Sequence, residues 1–347
     1  MFFSFRRREP PAMTLEGVLG PNTFLDDAAG MKVDAPQALC PVSDDLLLLS
    51  SGKAVLALSA WGASPEPWCV FDHQVTALCA SPDGAVGVGL ADGSFTVRDR
   101  AGQPLKGWGQ PTGIASVSDC IFVSEDEIAI VDNGYPSGND ILSLASWDDT
   151  ARGQVVSINR NGGSRQQAGG LHCPMGIARG ANGELVVSLL ERACVVDLSG
   201  KVRQSGFPAY LGRIRNAGAG YLLSCLSRRD PLIEFLKTEK EFVAEMKASI
   251  DPQHWISPRA NPEFSHDFPI ELGATRLFGE IKPWAPSFSY GLVIAADSTF
   301  VPTGSAHSRA NGARHAIVDA VSWNGRVIAL SRASGELLSF EFAGDAI

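Results

Sequence analysis

The sequence predicts an all-β protein, a six-bladed β-propeller with a partly helical insertion in the fifth blade. Turn-forming residues are abundant, with 36 Gly and 21 Pro among 347 residues. One phrase of short apolar strands and Gly-containing turns recurs about every 40 residues, a period typical of propeller blades. Asp-Gly and Asn-Gly pairs separate many of the strands and supply the positive φ angles that hairpin turns need. Such a composition also argues against a helical bundle.

The clearest copy of the phrase lies in the first third of the chain. An apolar run at 75–78 precedes a Ser-Pro-Asp-Gly turn, a second apolar run at 85–90, an Ala-Asp-Gly turn and a third run from 94. The other copies begin at Pro36, Pro111, Pro174, Leu211 and Ala316. Each copy is interpreted as an antiparallel meander that buries its faces only against its neighbours.

These copies predict one propeller domain over residues 14–347, preceded by a charged tail at 1–13. Ring closure in a propeller protects the last open sheet edge, usually with a strand from the start of the chain. Residues 14–18, which follow the charged tail, are the expected closing strand.

Residues 228–286 follow a different pattern from the blades. Asp230 is a typical N-cap with Pro231 at the first helical position, and Leu232, Ile233 and Leu236 recur at helical spacing. This segment is therefore predicted to contain one or two helices and to form a flap over one rim of the propeller.

Charge and hydropathy exclude several classes of partner. The 38 acidic residues outnumber the 29 basic ones, for a net charge of −9, which opposes nucleic acids and anionic membranes. No apolar run approaches the roughly 18 residues of a spanning helix. The basic residues at 6–8 are not followed by the apolar stretch of a signal peptide. We therefore expect a cytoplasmic protein with neither a membrane nor a nucleic-acid partner.

The seven cysteines are widely spaced, with no Cys-x-x-Cys pair. This spacing argues against zinc sites and thioredoxin-like chemistry. We expect reduced thiols that behave as small buried hydrophobic residues, without disulfides.

Three segments resemble the strictosidine synthase-like family, within the six-bladed superfamily that also holds SMP-30/gluconolactonase and paraoxonase-like enzymes. Residues 173–178 (Cys-Pro-Met-Gly-Ile-Ala) resemble the family's Phe-Pro-Asn-Gly-Val-Ala phrase. Residues 227–236 (Ser-Arg-Arg-Asp-Pro-Leu-Ile-Glu-Phe-Leu) resemble its Arg-Asn-Pro-Leu segment and following helix, and 289–293 resemble the end of bacterial members. The resemblance implies a bacterial protein with a six-bladed fold and a small-molecule substrate in the central channel.

The same resemblance implies that this chain has lost the family's metal. Relatives that hold calcium use carboxylates and amides at four places, and the matching places here hold Gln37, Ser118, Met175 and Gly212-Arg213. A hard cation needs several oxygen ligands with enough negative charge. We therefore expect no metal and no other cofactor, with Arg213 filling the space. The acid/base Glu of the plant synthases falls near Val318, and strand alternation predicts that Asp319 points the other way.

Polar residues on the expected channel loops are the candidate site. As catalytic residues we take His307, His315 and Asp319, because a histidine beside an acid can move protons near neutral pH. As substrate-binding residues we take five others, since arginines clamp carboxylates: Arg213, Arg309, Arg228, His172 and Gln37. A second candidate rim is Asn139, Asp140, Trp147 and Asp148.

Two functional classes stay open from the sequence. The first is a metal-independent enzyme of the strictosidine synthase-like type, either a lyase/synthase or an ester/lactone hydrolase, acting beneath the insertion. The second is a non-catalytic propeller that binds a ligand or a protein. A deep pocket with His and Arg favours the enzyme, whereas an apolar aromatic rim favours protein binding.

Overall fold

The computed structural model describes residues 14–263 and 279–342. In these residues six antiparallel sheets follow one another along the chain and form the six blades of the predicted propeller. The first three blades have these strands, each listed from the innermost outward: β2 Leu39–Ser43, β3 Leu46–Ser51, β4 Ala54–Leu58 and β5 Glu66–Val70; β6 Val75–Ala80, β7 Val86–Leu90 and β8 Phe95–Arg98; β9 Asp119–Ser124, β10 Glu127–Asp132, β11 Gly153–Asn159 and β12 Ser164–Leu171.

The last three blades complete the ring. Their strands are β13 Pro174–Arg179, β14 Leu185–Leu189, β15 Cys194–Asp197 and β16 Val202–Ser205; β17 Ala209–Ala217, β18 Gly220–Arg228, β19 Gly291–Ala296 and β20 Pro302–Ser308; β21 Ile317–Trp323, β22 Arg326–Ser331 and β23 Glu336–Phe340, with β1 Ala29–Lys32 outermost. Six blades at the expected repeat confirm the predicted fold.

The closing strand is β1 rather than residues 14–18. Strand β1 pairs with β23 of the last blade, with Ala29 opposite Ser339 and Lys32 opposite Glu336. The expected segment instead contains a 3-10 turn at Gly17–Leu19, whose first residue has a positive φ of 58°. A short helix α1 (Phe24–Asp27) then leads into β1. The prediction failed because β1 is a largely exposed edge strand and carries no apolar alternation.

Apolar side chains fill the spaces between neighbouring blades. Between the fourth and fifth blades, Val186, Leu211 and Leu292 belong to one buried cluster. Strands such as β7 and β19 are buried along their whole length, because both of their faces are covered by adjacent sheets. This layering explains why many strands are continuously apolar rather than alternating.

The seven cysteines are free, and all but Cys69 are buried. Burial raises the pKa of the Cys194 thiol to about 11 and that of Cys225 still further. Reactivity depends on the thiolate, so these groups are protected by both burial and protonation. We expect at most one thiol per native chain to react with Ellman's reagent at pH 8, and seven after denaturation in guanidinium. Two or more fast-reacting native thiols would contradict this placement.

The fifth-blade insertion is partly helical, as predicted. It contains α3 (Pro231–Leu236), α4 (Lys240–Ser249) and a 3-10 turn at Pro252–His254. Asp230 caps α3 by accepting a hydrogen bond of 2.8 Å from the backbone N–H of Leu232. Part of the predicted flap, at 264–278, lies outside the described residues.

This insertion packs against a shorter one in the third blade, which contains helix α2 (Ile141–Trp147). Trp147 shares a buried cluster with Ile233 and Met246, and its indole N–H donates to Ser257 Oγ at 2.9 Å. The two insertions thus pack together as one layer that connects blades three and five.

Among the described helices, none is long and apolar enough to cross a membrane.

Candidate functional site

The six innermost strands converge on the central axis and deliver polar groups to it. Four of them carry a register shift near their beginnings. Such bulges place two residues opposite one and redirect side chains. Backbone carbonyls as well as side chains therefore face the channel at the end where the innermost strands begin.

Arg213 of β17 lies on this axis with 6% of its surface exposed. Its Nη1 donates to the carbonyls of Gln37 and of Val318, the latter at 3.1 Å, and its Nη2 donates to those of Thr76 and of Ser118, the latter at 2.7 Å. Its Nε lies 3.3 Å from an Asp119 carboxylate oxygen. One guanidinium thus joins the first, second, third and sixth blades to the fifth.

A second arginine and two carboxylates form the next layer along the axis. Arg215 bonds both oxygens of Asp119, at 2.6 and 2.9 Å, and one oxygen of Asp319 at 3.0 Å. Both carboxylates are fully buried. Burial lowers the pKa of Arg215, but the two carboxylates outweigh it and hold that pKa well above its usual value. The channel is therefore closed by a paired ionic network.

Close backbone packing positions Arg213. A Cβ atom at Gly176 of β13 would lie 2.5 Å from the Ile214 nitrogen and 2.6 Å from the Arg213 Cα. Ser224 of β18 accepts a 2.8 Å hydrogen bond from the Arg213 N–H. A larger residue at Gly176 would separate β13 from β17 and move the guanidinium off the axis.

A pocket of about 150 Å³ lies directly above Arg213, which forms its floor. All six blades contribute to its wall. The lining residues are Gln37, Gln74, Thr76, Ser116, Val117, Ser118, Asn133, Tyr135, Pro136, Ser137, Gly138, Asn139, Ile141, Met175, Arg213, Leu226, Val318 and Arg332. Arg213 and Arg332 are the charged residues of this set, which contains no Asp, Glu, His, Lys or Cys. The pocket is therefore polar and positively charged, in a chain of net charge −9.

Tyr135 is the one lining side chain with an acidic hydroxyl, and it is already paired. Its hydroxyl donates to Asp148 at 3.0 Å. Burial, and then this bond to a carboxylate, raise the pKa of Tyr135 above its usual value. Burial raises the pKa of Asp148, but hydrogen bonds from Thr150, Arg152 and Tyr135 outweigh it and lower that pKa to about 2. At neutral pH neither group is poised to exchange a proton.

The predicted site residues fall into separate places. Gln37 and Arg213 line the pocket, as does Asn139 from the second candidate rim. Asp319 lies beneath Arg213 and belongs to the ionic network. Its expected outward orientation was wrong, because the bulge between Ile317 and Asp319 turns both it and the Val318 carbonyl towards the axis.

Four other predicted residues surround Tyr290 in the fifth blade, away from the pocket lining. His307 lies on outermost strand β20, fully buried, with its Nδ1 3.2 Å from the Tyr290 hydroxyl and its Nε2 2.8 Å from Ser305 Oγ. His315 has its Nδ1 3.0 Å from Ser289 Oγ and its Nε2 2.8 Å from the Arg309 carbonyl. The expected channel position of both histidines is thus corrected, because His307 lies on the outermost strand of the fifth blade and His315 lies in the loop that follows this strand.

The two arginines of this cluster lie close to the same ring. The Arg228 guanidinium is 5.6 Å from the Tyr290 ring centre. Burial raises the pKa of Tyr290 to about 12, although the positive charges of Arg228 and Arg309 oppose this. Burial, reinforced by Arg309, lowers the pKa of His307 to about 4.

His172 lies at a third place, in the loop between β12 and β13. Its Nδ1 is 3.3 Å from Nη2 of Arg192, which also lies 3.4 Å from an Asp149 carboxylate oxygen. Of the second candidate rim, Asp140 caps α2 and pairs with Arg259 at 3.1 Å. The structure therefore divides the sequence-predicted site into a pocket, a Tyr290 cluster and two rim contacts.

Sequence reasoning missed Arg332, Arg215 and Asp119. Arg332 follows the second strand of its blade, and its N–H bonds the carbonyl of Ala316, which precedes the first strand. Gly52, Ala91 and Leu190 make the same bond in other blades. Arg229 makes it in the fifth blade, with the carbonyl of Pro208. Superposing the repeats would have shown that this position holds an arginine in the fifth and sixth blades and a small or apolar residue in the first, second and fourth.

In the described part of the chain, side chains that bind metals do not cluster. No group of three or more His, Cys, Asp or Glu side chains there is arranged to hold a metal ion. The converging carbonyl oxygens, which are donors that suit calcium, are engaged by Arg213. The donor set at the axis therefore fits a guanidinium.

The comparison with solved structures agrees with the propeller fold. No protein-family model matches the chain, and no curated protein does. Among solved structures, the chain is similar to a gluconolactonase from Xanthomonas campestris, with a TM-score of 0.54 and 12% identity over 96% of this chain and 95% of that one. It is also similar to a PQQ-bound aldose sugar dehydrogenase from Streptomyces coelicolor, with a TM-score of 0.52 and 11% identity over 91% of this chain and 96% of that one. At such identities the likeness shows a shared propeller fold.

Proposed function

We propose that this propeller binds a small molecule in the pocket above Arg213, without a metal ion and without acid–base catalysis. The observation that carries the proposal is the chemistry of the lining. It supplies amides, hydroxyls and arginines, but no side chain that accepts a proton near neutral pH. A general base must titrate near the working pH and reach the reacting proton.

The pocket has the other properties of a small-molecule site. Ligand pockets are concave and combine apolar walls with a few convergent polar groups. Here Val117, Met175 and Leu226 supply apolar surface, and Gln74 and Asn133 stand among them. The ionic network below fixes the floor, so the site is built on rigid strands.

The position of Arg213 on the axis, where it binds the converging carbonyls, supports metal independence. We expect protein treated with excess EDTA and untreated protein to have the same melting temperature within error, measured by differential scanning fluorimetry. Calcium added back is also expected to have no effect. A melting temperature that EDTA lowers and calcium restores would contradict this part of the proposal.

Ligand binding can be tested by obstructing the pocket. Met175→Trp is expected to fill it and abolish thermal shifts caused by small polar molecules, because the enlarged side chain displaces them. Val70→Trp is the matched control, since Val70 is 70% exposed on the first blade. Equal shifts in wild type, Met175→Trp and Val70→Trp would place the ligand elsewhere.

The second candidate is the enzyme predicted from the sequence, a strictosidine synthase-like lyase/synthase or an ester/lactone hydrolase. The similarity of fold to a gluconolactonase favours the hydrolase, by analogy of fold alone. Hydrolysis of aryl acetates or δ-lactones that Met175→Trp abolishes and Val70→Trp preserves would establish this candidate. Absence of such turnover alongside ligand binding is the result we expect.

A further inference from the structure

We infer that the pocket ligand is a small carboxylate monoanion, whose charged group is bound by Arg332. This inference rests on the proposed small-molecule site and names the chemical class that the site takes. Arg332 lines the pocket from the loop between β22 and β23. Its backbone N–H is bonded to Ala316, but its guanidinium has no hydrogen-bond or ion-pair partner in residues 14–263 and 279–342.

A guanidinium that is largely removed from water and unpaired carries a desolvation cost, which an anion bound in the pocket would offset. Burial lowers the pKa of Arg332, and the carboxylate of Asp140 opposes this from a distance. Asp140 is itself bound by Arg259 at 3.1 Å and caps helix α2. The carboxylate that acts on Arg332 is therefore already committed to another arginine.

The other arginine of the pocket has no capacity left for a ligand. All four Nη hydrogens of Arg213 are directed at backbone carbonyls, and its Nε faces Asp119. Arg213 contributes positive potential from below, whereas Arg332 has donors available. The site therefore provides one full anion-binding group, which suits one carboxylate, since guanidinium binds carboxylates with two parallel hydrogen bonds.

The remaining lining sets the rest of the ligand. It is uncharged, and its amides and hydroxyls include Gln74, Ser116 and Asn133. A second anionic group would have no cation to meet, and a cationic group would be repelled by both arginines. A cavity of about 150 Å³ is the size that holds a benzene molecule. The ligand is thus a carboxylate of about six or seven heavy atoms in all, bearing hydroxyl or carbonyl groups.

The first test compares charged and neutral forms of the same probes. Lactate and 4-hydroxybutyrate, with lactamide and 4-hydroxybutyramide as their neutral counterparts, are titrated into wild type, Arg332→Gln and Arg332→Lys by calorimetry. We expect the carboxylates to bind wild type at least tenfold more tightly than Arg332→Gln, because charge-assisted hydrogen bonds contribute roughly 1.5–3 kcal/mol. Arg332→Lys should retain part of this preference. Arg100→Gln, at a surface ion pair, is the control and should bind as wild type.

Each outcome separates the two proposals. In one outcome, the amides bind as well as the carboxylates, and this binding is lost in Met175→Trp but unchanged in Arg332→Gln. That result would overturn the anion assignment but would still support a small-molecule site in the pocket. Inorganic phosphate or succinate bound more tightly than the monocarboxylates would overturn the monoanion class. Binding of none of these probes to wild type would overturn the carboxylate inference, while the obstruction test still decides the pocket itself.

A second test needs no ligand. If Arg332 is held for binding, Arg332→Met should leave the melting temperature of the free protein unchanged or raise it, since an unpaired charge leaves the pocket. If Arg332 is a structural residue, Arg332→Met should lower it, as removal of a paired arginine does. A fall of 5 °C or more in a folded variant, judged by an unchanged circular dichroism spectrum, would overturn the inference.

Discussion

Arg213→Ala is expected to lower the free energy of unfolding by about 3–5 kcal/mol, the range found when one partner of a buried ion pair is removed. Four carbonyl groups from four blades would lose their donor, and Asp119 would lose one of its two cations. Urea denaturation followed by tryptophan fluorescence measures this change.

The control for this prediction is Arg100→Ala. Arg100 pairs with Asp45 on the surface, where both side chains are more than half exposed. Exposed pairs contribute about 0–1 kcal/mol. An equal loss in the two variants would mean that the axial guanidinium does not hold the blades together. Recovery of Arg213→Ala stability by millimolar calcium would show, in addition, that its carbonyl partners suit a hard cation.

Acidification is expected to lower the free energy of unfolding by about 3 kcal/mol through His307 alone. The pKa of this histidine is lowered to about 4 in the native protein by burial, whereas in the unfolded chain it lies at 6.5. A lowered native pKa means that the unfolded chain takes up the proton first. The stabilisation that neutral His307 gives the native protein is therefore fully present above pH 6.5 and is lost as the pH falls towards 4. It corresponds to about 1.4 kcal/mol for each unit by which the pKa is lowered.

This contribution can be isolated from that of the carboxylates by difference. Free energies of unfolding are measured from pH 7.5 to 4 for wild type and His307→Gln, and the wild-type curve should fall more steeply between pH 6.5 and 4.5. His73→Gln is the control, because the His73 side chain is 53% exposed. Parallel curves for wild type and His307→Gln would show that the buried imidazole does not control acid sensitivity.

The architecture could be predicted because its signals are local. Asp83-Gly84 and Asn324-Gly325 lie at hairpin turns, with positive φ at both glycines and at Asn324. Each blade repeats such turns, so six blades emerge from the spacing alone. Strand β1 was not predicted because it is a largely exposed edge strand, and its residues therefore show no apolar pattern. Its pairing with β23 is a long-range contact that residues 29–32 do not encode by themselves.

The site was predicted less well, for three different physical reasons. Arg213 was expected at the axis, but its partners are backbone carbonyls, which have no side-chain signature. Asp319 was assigned the wrong face because a bulge breaks the alternation of β21. His307 was expected in the channel because it precedes the last blade in sequence. Its distance from the channel depends instead on strand order, and its strand β20 is the outermost of the fifth blade. Arg332 could have been found by comparing equivalent positions of the repeat.

The pairing of β1 with β23 has a consequence for how the protein forms. Ala29 is opposite Ser339, so the sixth sheet cannot be completed until β23, about 300 residues after β1, has left the ribosome. Until then β1 has no neighbour, and unpaired strands recruit other strands. Contacts of such high sequence separation also form slowly. Earlier blades therefore assemble while the ring is still open. Until β1 pairs with β23, a nascent chain can mispair with a second copy.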